Sequence, residues 1–308
     1  MATGLVIKNT GSWYTVEDLA TGKLIPCRIK GKLRLKGIRT TKPVTVGDRV
    51  EYAAGPGADS VVSGIHERTN YIIRKSSNLA REAHIIAANL DLALVIVTLD
   101  FPPVNPEFLD RFLVTAEAYN VPARIVLNKI DLFGAPYAER LAEFHEAYRM
   151  AGYEVIEASA LTGVGIDRLR DMIRDKVTLF SGNSGVGKST LVQTIDPSLT
   201  LRTGEISSYH NKGKHTTTFS EMFKLTEGGY LIDTPGIKGF GLIDFEKDEI
   251  SRYFPEIFRH SVECQYYNCT HTHEPGCTVK EAVEAGKVSA SRYISYLKLL
   301  EEDEKYRK

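Results

Sequence analysis

The sequence predicts a doubly wound α/β domain preceded by a small β-barrel and followed by a short, mainly helical segment, and three observations predict it. Apolar runs alternate with segments of helical period through the middle of the chain; short β-prone runs broken by turn residues fill its first seventy or so positions; and a Cys/His cluster punctuates helix-prone sequence near its end. The boundaries expected from these shifts are 1–72 for the barrel, 80–243 for the α/β domain and 244–308 for the last segment.

The barrel rests on "GLVIKN", "SWYTVEDL", "KLIPCRIK" and "DRVEYAA", separated by Gly, Pro, Asp and Asn. In the middle, "LDLALVIVTL", "ARIVLN", "YEVIEAS", "KVTLFSG" and "GYLIDT" are the continuous apolar runs that a parallel sheet buries on both faces. Between them, "PEFLDRFLVTAEAYN", "YAERLAEFHEAYRMAG" and "IDRLRDMIRD" place apolar residues at helical spacing.

Composition narrows the class. The 308 residues are 43% hydrophobic and 25% charged, which excludes a disordered chain. With 39 basic and 39 acidic side chains, the formal charge is zero, so any nucleic acid must be met by a local patch. The N-terminus lacks the basic, apolar and small-residue succession of a secretory signal, and no run approaches the roughly 18 apolar residues of a membrane span. A cytoplasmic monomer with no membrane partner is expected.

The stretch "GNSGVGKS" fits G-x-x-x-x-G-K-[ST] and lies between a predicted strand and a predicted helix, the context the motif requires. It comprises Gly182, Asn183, Ser184, Gly185, Val186, Gly187, Lys188 and Ser189, with Thr190 opening the helix. Glycines let backbone N–H groups turn inward around phosphates, and the helix N-terminus adds partial positive charge. Lys188 is placed to reach the β/γ oxygens, and the Ser189 hydroxyl to bind Mg²⁺. "LIDTPG" puts Asp233 at a strand end, near the same Mg²⁺, and offers the Gly236 N–H to a γ-phosphate.

"NKID", residues Asn128, Lys129, Ile130 and Asp131, supplies a base reader. The Asp131 carboxylate accepts from guanine N1–H and the exocyclic amine, a donor pair adenine lacks, so GTP and GDP are favoured over ATP. "SAL" ends a further strand, with Ser159 and the Ala160 N–H directed to the base. All four segments end predicted parallel strands, where open α/β sheets bind ligands. Their order, NKID before the phosphate loop, is that of a circularly permuted GTP-binding domain.

Between the phosphate loop and DTPG, residues 202–219 are polar and aperiodic, and read as a switch. Thr217 of "HTTT" is expected to bring a second hydroxyl to Mg²⁺, with Thr216 and Thr218 as alternatives. Ile237 follows DTPG where many GTPases carry a water-orienting glutamine, so intrinsic hydrolysis is expected to be slow.

The cluster "CQYYNCTHTHEPGC" gives Cys264, Cys269, His271 and Cys277 at C-x₄-C-x-H-x₅-C, with His273 as an alternative to His271. Three thiolates and one imidazole close a tetrahedral shell, the signature of a structural Zn²⁺. In the barrel, residues 23–42 hold eight basic and no acidic side chains. Arg28, Lys30, Lys32, Arg34 and Lys36 recur at every second position and share one face of an extended strand, with Trp13 and Tyr14 as stacking surfaces nearby. An RNA backbone is the expected partner of that face.

Over nearly the whole chain these features resemble the RsgA family of circularly permuted GTPases, small ribosomal subunit biogenesis factors. The resemblance rests on the N-terminal barrel, the permuted motif order, "GKHTTT" and the C-terminal Cys/His cluster. It implies an OB-fold N-terminal domain, GTP hydrolysis stimulated by the small ribosomal subunit and its rRNA, a structural zinc held through His271, and a role late in that subunit's maturation. It also implies a catalytic role for His215 near the attacking water, beside Lys188 and Thr217. The alternative is a GTP-gated RNA chaperone or scaffold in which hydrolysis is incidental.

Overall fold

The computed structural model describes residues 1–29, 43–54, 60–75, 83–199, 220–233 and 247–306. Strands β1 (Ala2–Asn9), β2 (Tyr14–Asp18), β3 (Leu24–Ile29), β4 (Arg49–Ala54) and β5 (Ser60–Ile65) pair in the order β1-β2-β3-β5-β4, and β4 closes back on β1. The β3–β5 pairing is parallel and the others are antiparallel. This is the closed five-stranded barrel expected of an OB-type domain. Its interior holds Val6, Tyr14, Val16, Cys27, Val50, Tyr52 and Val62, the inward set of alternating strands.

A hairpin of β6 (Tyr71–Lys75) and β7 (Ala83–Ala88) leads into the second unit. There β8 (Leu92–Val97), α1 (Pro106–Ala118), β9 (Ala123–Leu127), α2 (Ala138–Ala151), β10 (Val155–Glu157), α3 (Ile166–Ile173), β11 (Val177–Ser181) and α4 (Lys188–Ile195) alternate as expected. The strands β12 (Glu221–Lys224) and β13 (Tyr230–Asp233) complete a sheet ordered β10-β9-β8-β11-β13-β12, parallel except for β12.

The continuous apolar runs have the physical cause the sequence implied. Along β8, Ala93, Val95 and Val97 face a core shared with α1 and α2, whereas Leu92, Leu94 and Ile96 face one shared with α3 and α4. Both sides are buried, so no polar alternation survives. Strand β11 lies between β8 and β13, at the centre, and the chain reaches β9 before it reaches β11.

Barrel and α/β sheet are continuous, because β1 pairs antiparallel with β12 at Lys8↔Glu221. The C-terminal helices α5 (Lys247–Ile250), α6 (Pro255–Ser261), α7 (Thr278–Glu284) and α8 (Ala290–Tyr306) form their own core around Phe254, Ile257, Val279 and Tyr296, which takes in Val114 from α1. At that junction Arg292 is fully buried. Its Nη1 donates to Asp110 Oδ1 of α1 at 2.8 Å, and its Nε and Nη2 donate to Glu256 of α6 at 2.7 and 3.1 Å. No helix among the described residues is long and apolar enough to cross a membrane.

Candidate functional site

The phosphate loop leaves β11 after Ser181 and enters α4 at Lys188, as its sequence requires. Gly182 has φ +152°, and a Cβ there would lie 2.3 Å from the Ile96 carbonyl oxygen. At Gly187, with φ +90°, a Cβ would lie 2.6 Å from Asn128 Nδ2. Glycine is therefore demanded at both positions by conformation and by close approach. Val186 is buried in the core beneath α4 and pins the loop to the sheet.

Lys188 Nζ donates to the carbonyls of Gly182 and Asn183 at 2.6 and 2.9 Å, so its ammonium is folded over the loop. Burial lowers its pKa, an effect opposed by the charge of Asp233. Asp233 ends β13 directly beside Phe180 of β11, two residues before Gly182. The cation and the carboxylate thus share the carboxyl end of adjacent strands.

The base-side segments converge on the same loop. Asn128 Nδ2 donates to the Val186 carbonyl at 2.8 Å, while its buried Oδ1 has no hydrogen-bond partner. Lys129, held at φ +62°, sends Nζ to the carbonyls of Gly185 and Phe101, each at 2.7 Å. The Ile130 N–H donates to the Ala158 carbonyl, and Ser159 Oγ donates to Asp131 Oδ1 at 2.5 Å, tying NKID to SAL. Thr194 Oγ1 of α4 donates to the Ala160 carbonyl at 3.3 Å. Asp131 remains exposed.

One participant carries no sequence motif. The loop after β8 contributes the Phe101 carbonyl to Lys129 and places Pro102 within 3.5 Å of where a Gly185 Cβ would be. A backbone acceptor leaves no residue-type signal, so no motif could have exposed it. Thr217, His215, Gly236, Ile237 and the basic residues Lys30, Lys32, Arg34 and Lys36 lie outside the described residues.

In the C-terminal unit, Cys264, Cys269, His271 and Cys277 bring their ligand atoms within 4.8 Å of one another. His271 Nδ1 lies 3.6 Å from Cys264 Sγ and 3.5 Å from Cys277 Sγ. Those separations match the ~3.5 Å edge of a tetrahedron built on Zn–S of about 2.3 Å and Zn–N of about 2.0 Å. The four residues fit a metal ion. His273 is not among them; it is exposed, with Nδ1 beside Thr272 Oγ1. Helix α8 supports the metal loop: Tyr293 OH donates to the His271 carbonyl and Tyr296 OH to that of Thr270.

On the barrel, Arg28 is exposed and its guanidinium lies 3.8 Å from the Trp13 ring centroid. Tyr14, expected as a second stacking surface, is instead buried in the barrel core, since it occupies an inward position of β2. Only Trp13 of the two retains access to solvent.

Comparison with known proteins agrees with this geometry. The family model described as RsgA GTPase matches residues 65–243, and that described as RsgA N-terminal domain matches residues 3–62. A relative named small ribosomal subunit biogenesis GTPase RsgA, from Bacteroides fragilis strain YCH46, is 54% identical over 306 residues, covering 99% of this chain and 98% of its own. The same name is carried by a Flavobacterium psychrophilum protein, 50% identical over 309 residues and covering 99% and 94%. The crystal structure of YjeQ from Thermotoga maritima superposes with a TM-score of 0.77 at 33% identity, covering 98% of each chain. That of YloQ, titled a circularly permuted GTPase, gives 0.72 at 33% identity, covering 100% and 96%. On motif order, strand order and these matches together, the chain belongs to the RsgA family of circularly permuted GTPases.

Proposed function

We propose that the protein hydrolyses GTP to GDP and phosphate in a Mg²⁺-dependent reaction, stimulated by the small ribosomal subunit, whose late maturation it assists through contacts with rRNA. The observation that carries the reading is the hydrogen-bonded convergence of NKID, SAL and the phosphate loop at one end of a parallel sheet. GTP is favoured because the Asp131 carboxylate, fixed by Ser159, complements the N1–H and amine of guanine.

In this reading Lys188 turns from its loop carbonyls to the β/γ oxygens, and loop N–H groups of Gly182 to Thr190 receive the phosphates. Ser189, Thr217 and Asp233 would hold Mg²⁺, which draws charge from the phosphates. Gly236 would donate to the γ-phosphate, and His215 would orient the attacking water. The units 1–72, 80–243 and 244–308 act as RNA-binding barrel, GTPase and zinc-bound domain of a cytoplasmic monomer, with Arg28, Lys30, Lys32, Arg34 and Lys36 on the RNA side. Zinc is favoured over other metals by the three-thiolate, one-imidazole donor set.

The deciding experiment measures GTP turnover with and without purified small subunits. A rise of several orders of magnitude is expected, within the ~10⁵-fold range of externally activated GTPases. Turnover unchanged by the subunit, with nucleotide-dependent subunit binding intact, would favour the scaffold reading.

A further inference from the structure

Strand β12 is gripped from both sides. Glu221 stands opposite Asp233 of β13 on one side and opposite Lys8 of β1 on the other, with Lys8 Nζ 3.0 Å from Glu221 Oε1. One row of the sheet therefore runs Lys8, Glu221, Asp233, Phe180, from the barrel to the strand that enters the phosphate loop. A second tie lies at the far end of the same strand pair. Glu17 of β2 accepts from Lys224 Nζ, the last residue of β12, at 2.6 Å and from Tyr230 OH, the first residue of β13, at 2.8 Å.

The two ties differ in strength. Lys8 and Glu221 are both substantially exposed, and such pairs contribute little. Glu17 is only 6% exposed; the exposed Lys224 reaches it from the solvent side, and its carboxylate also accepts from the Tyr230 phenol, a charge-assisted hydrogen bond held at a buried oxygen. Strand β13 is paired along its length with β11 as well as β12, so Tyr230 and Asp233, about 10 Å apart along it, move together.

The geometry points to Glu17 as a positioning residue for the nucleotide site: a barrel side chain that holds β12 and β13 in place and, through them, Asp233. The barrel strands and the carboxylate on the Mg²⁺ side are then parts of one continuous sheet. This deepens the reading of Asp233 given above and rests on it.

The test uses the full chain with Glu17→Gln, which keeps a hydrogen bond to Tyr230 and loses the charge, and Tyr230→Phe, which loses the hydroxyl and keeps the ring. Release of a fluorescent GDP analogue is followed against Mg²⁺ concentration, alongside the unfolding midpoint and turnover with small subunits. Both variants are expected to need ~5-fold or more Mg²⁺ for half-retention, with reduced stimulation by the subunit and near-native basal turnover at saturating Mg²⁺. If Glu17→Gln fails to fold, Tyr230→Phe carries the test alone. An unchanged Mg²⁺ midpoint in Tyr230→Phe, beside a clear one in the wild type, overturns the inference. A wild type whose GDP release ignores Mg²⁺ overturns the assignment of Asp233 itself, and the inference with it.

Discussion

Ser159 Oγ donates to Asp131 Oδ1 at 2.5 Å and accepts from the Thr162 N–H at 3.1 Å, so the carboxylate proposed to read the base is oriented by a hydroxyl that is itself fixed. Asp131→Asn should weaken GTP by about 100-fold, since two hydrogen bonds to a charged acceptor at ~1.5–3 kcal/mol each are compromised. Xanthosine triphosphate should gain, because an amide donates where xanthine carries a carbonyl. Ser159→Ala should cost about tenfold without changing base preference. Competition binding with both triphosphates measures this, and unchanged GTP affinity in Asp131→Asn would remove that residue from the base site.

The Cys/His cluster gives a prediction on folding. Cys264→Ser or Cys277→Ser should release the metal and loosen α6 to α8, because a site assembled only in the folded state contributes its binding energy to folding. GTP binding should persist, since none of the contacts of NKID or the phosphate loop among the described residues passes through the cluster. Elemental analysis of the purified wild type, expected to show one zinc per chain, checks the premise.

How far these features were legible in the sequence depended on how local their causes are. The phosphate loop is readable because its glycines, though required by contacts one and two strands away, announce themselves in eight consecutive letters. His271 and His273 are equivalent by spacing; only the fold, which brings the His271 ring among the three thiols and leaves His273 exposed, tells them apart. Strand β12 is hidden in the sequence because four residues, "EMFK", carry no period, and β5 because Ser and Gly dilute it. Arg292 was invisible for the opposite reason. In "SASRYISYLKLL" it reads as a solvated helix residue, and its partners are 36 and 182 positions distant.

Strong acid should destabilise the barrel. Asp18 accepts from the Tyr52 hydroxyl, from Thr21 Oγ1 and from the Thr21 and Ala20 N–H groups, and these bonds, that of Tyr52 foremost, hold its pKa at about 2 against an ordinary 3.8. A depressed carboxylate contributes stability that is complete above its unfolded value and lost as pH falls through its folded one. Barrel stability should therefore decline between pH ~4 and ~2, and Asp18→Asn should flatten that limb. Unfolding midpoints across this range, followed by Trp13 fluorescence, report it.

The seam between the GTPase unit and the helices around the Cys/His cluster is closed by more than the chain itself. The chain runs from DTPG directly into this unit, which on sequence alone makes nucleotide state a candidate to set its angle. The described residues add a second connection of a different kind. Arg292 is wholly enclosed, bonded to Asp110 and Glu256, with the Phe254 ring centroid 4.8 Å from its guanidinium carbon. Tyr148 OH, from α2, donates to the same Asp110 oxygen. Moving the unit away from α1 would expose or orphan a buried cation and two carboxylates, and removing one partner of such a set costs about 3–5 kcal/mol. Arg292→Met should therefore destabilise the protein by that amount and separate the loss of α8 from that of α1 in hydrogen exchange. Asp110→Asn with Arg292→Met should recover part of it, since the cation and the carboxylate that faced it are removed together. In the wild type, the distance between labels at the exposed positions Glu143 on α2 and Glu284 on α7 should be the same with GDP and with a non-hydrolysable GTP analogue. A change of several ångströms between the two states would show that the seam opens.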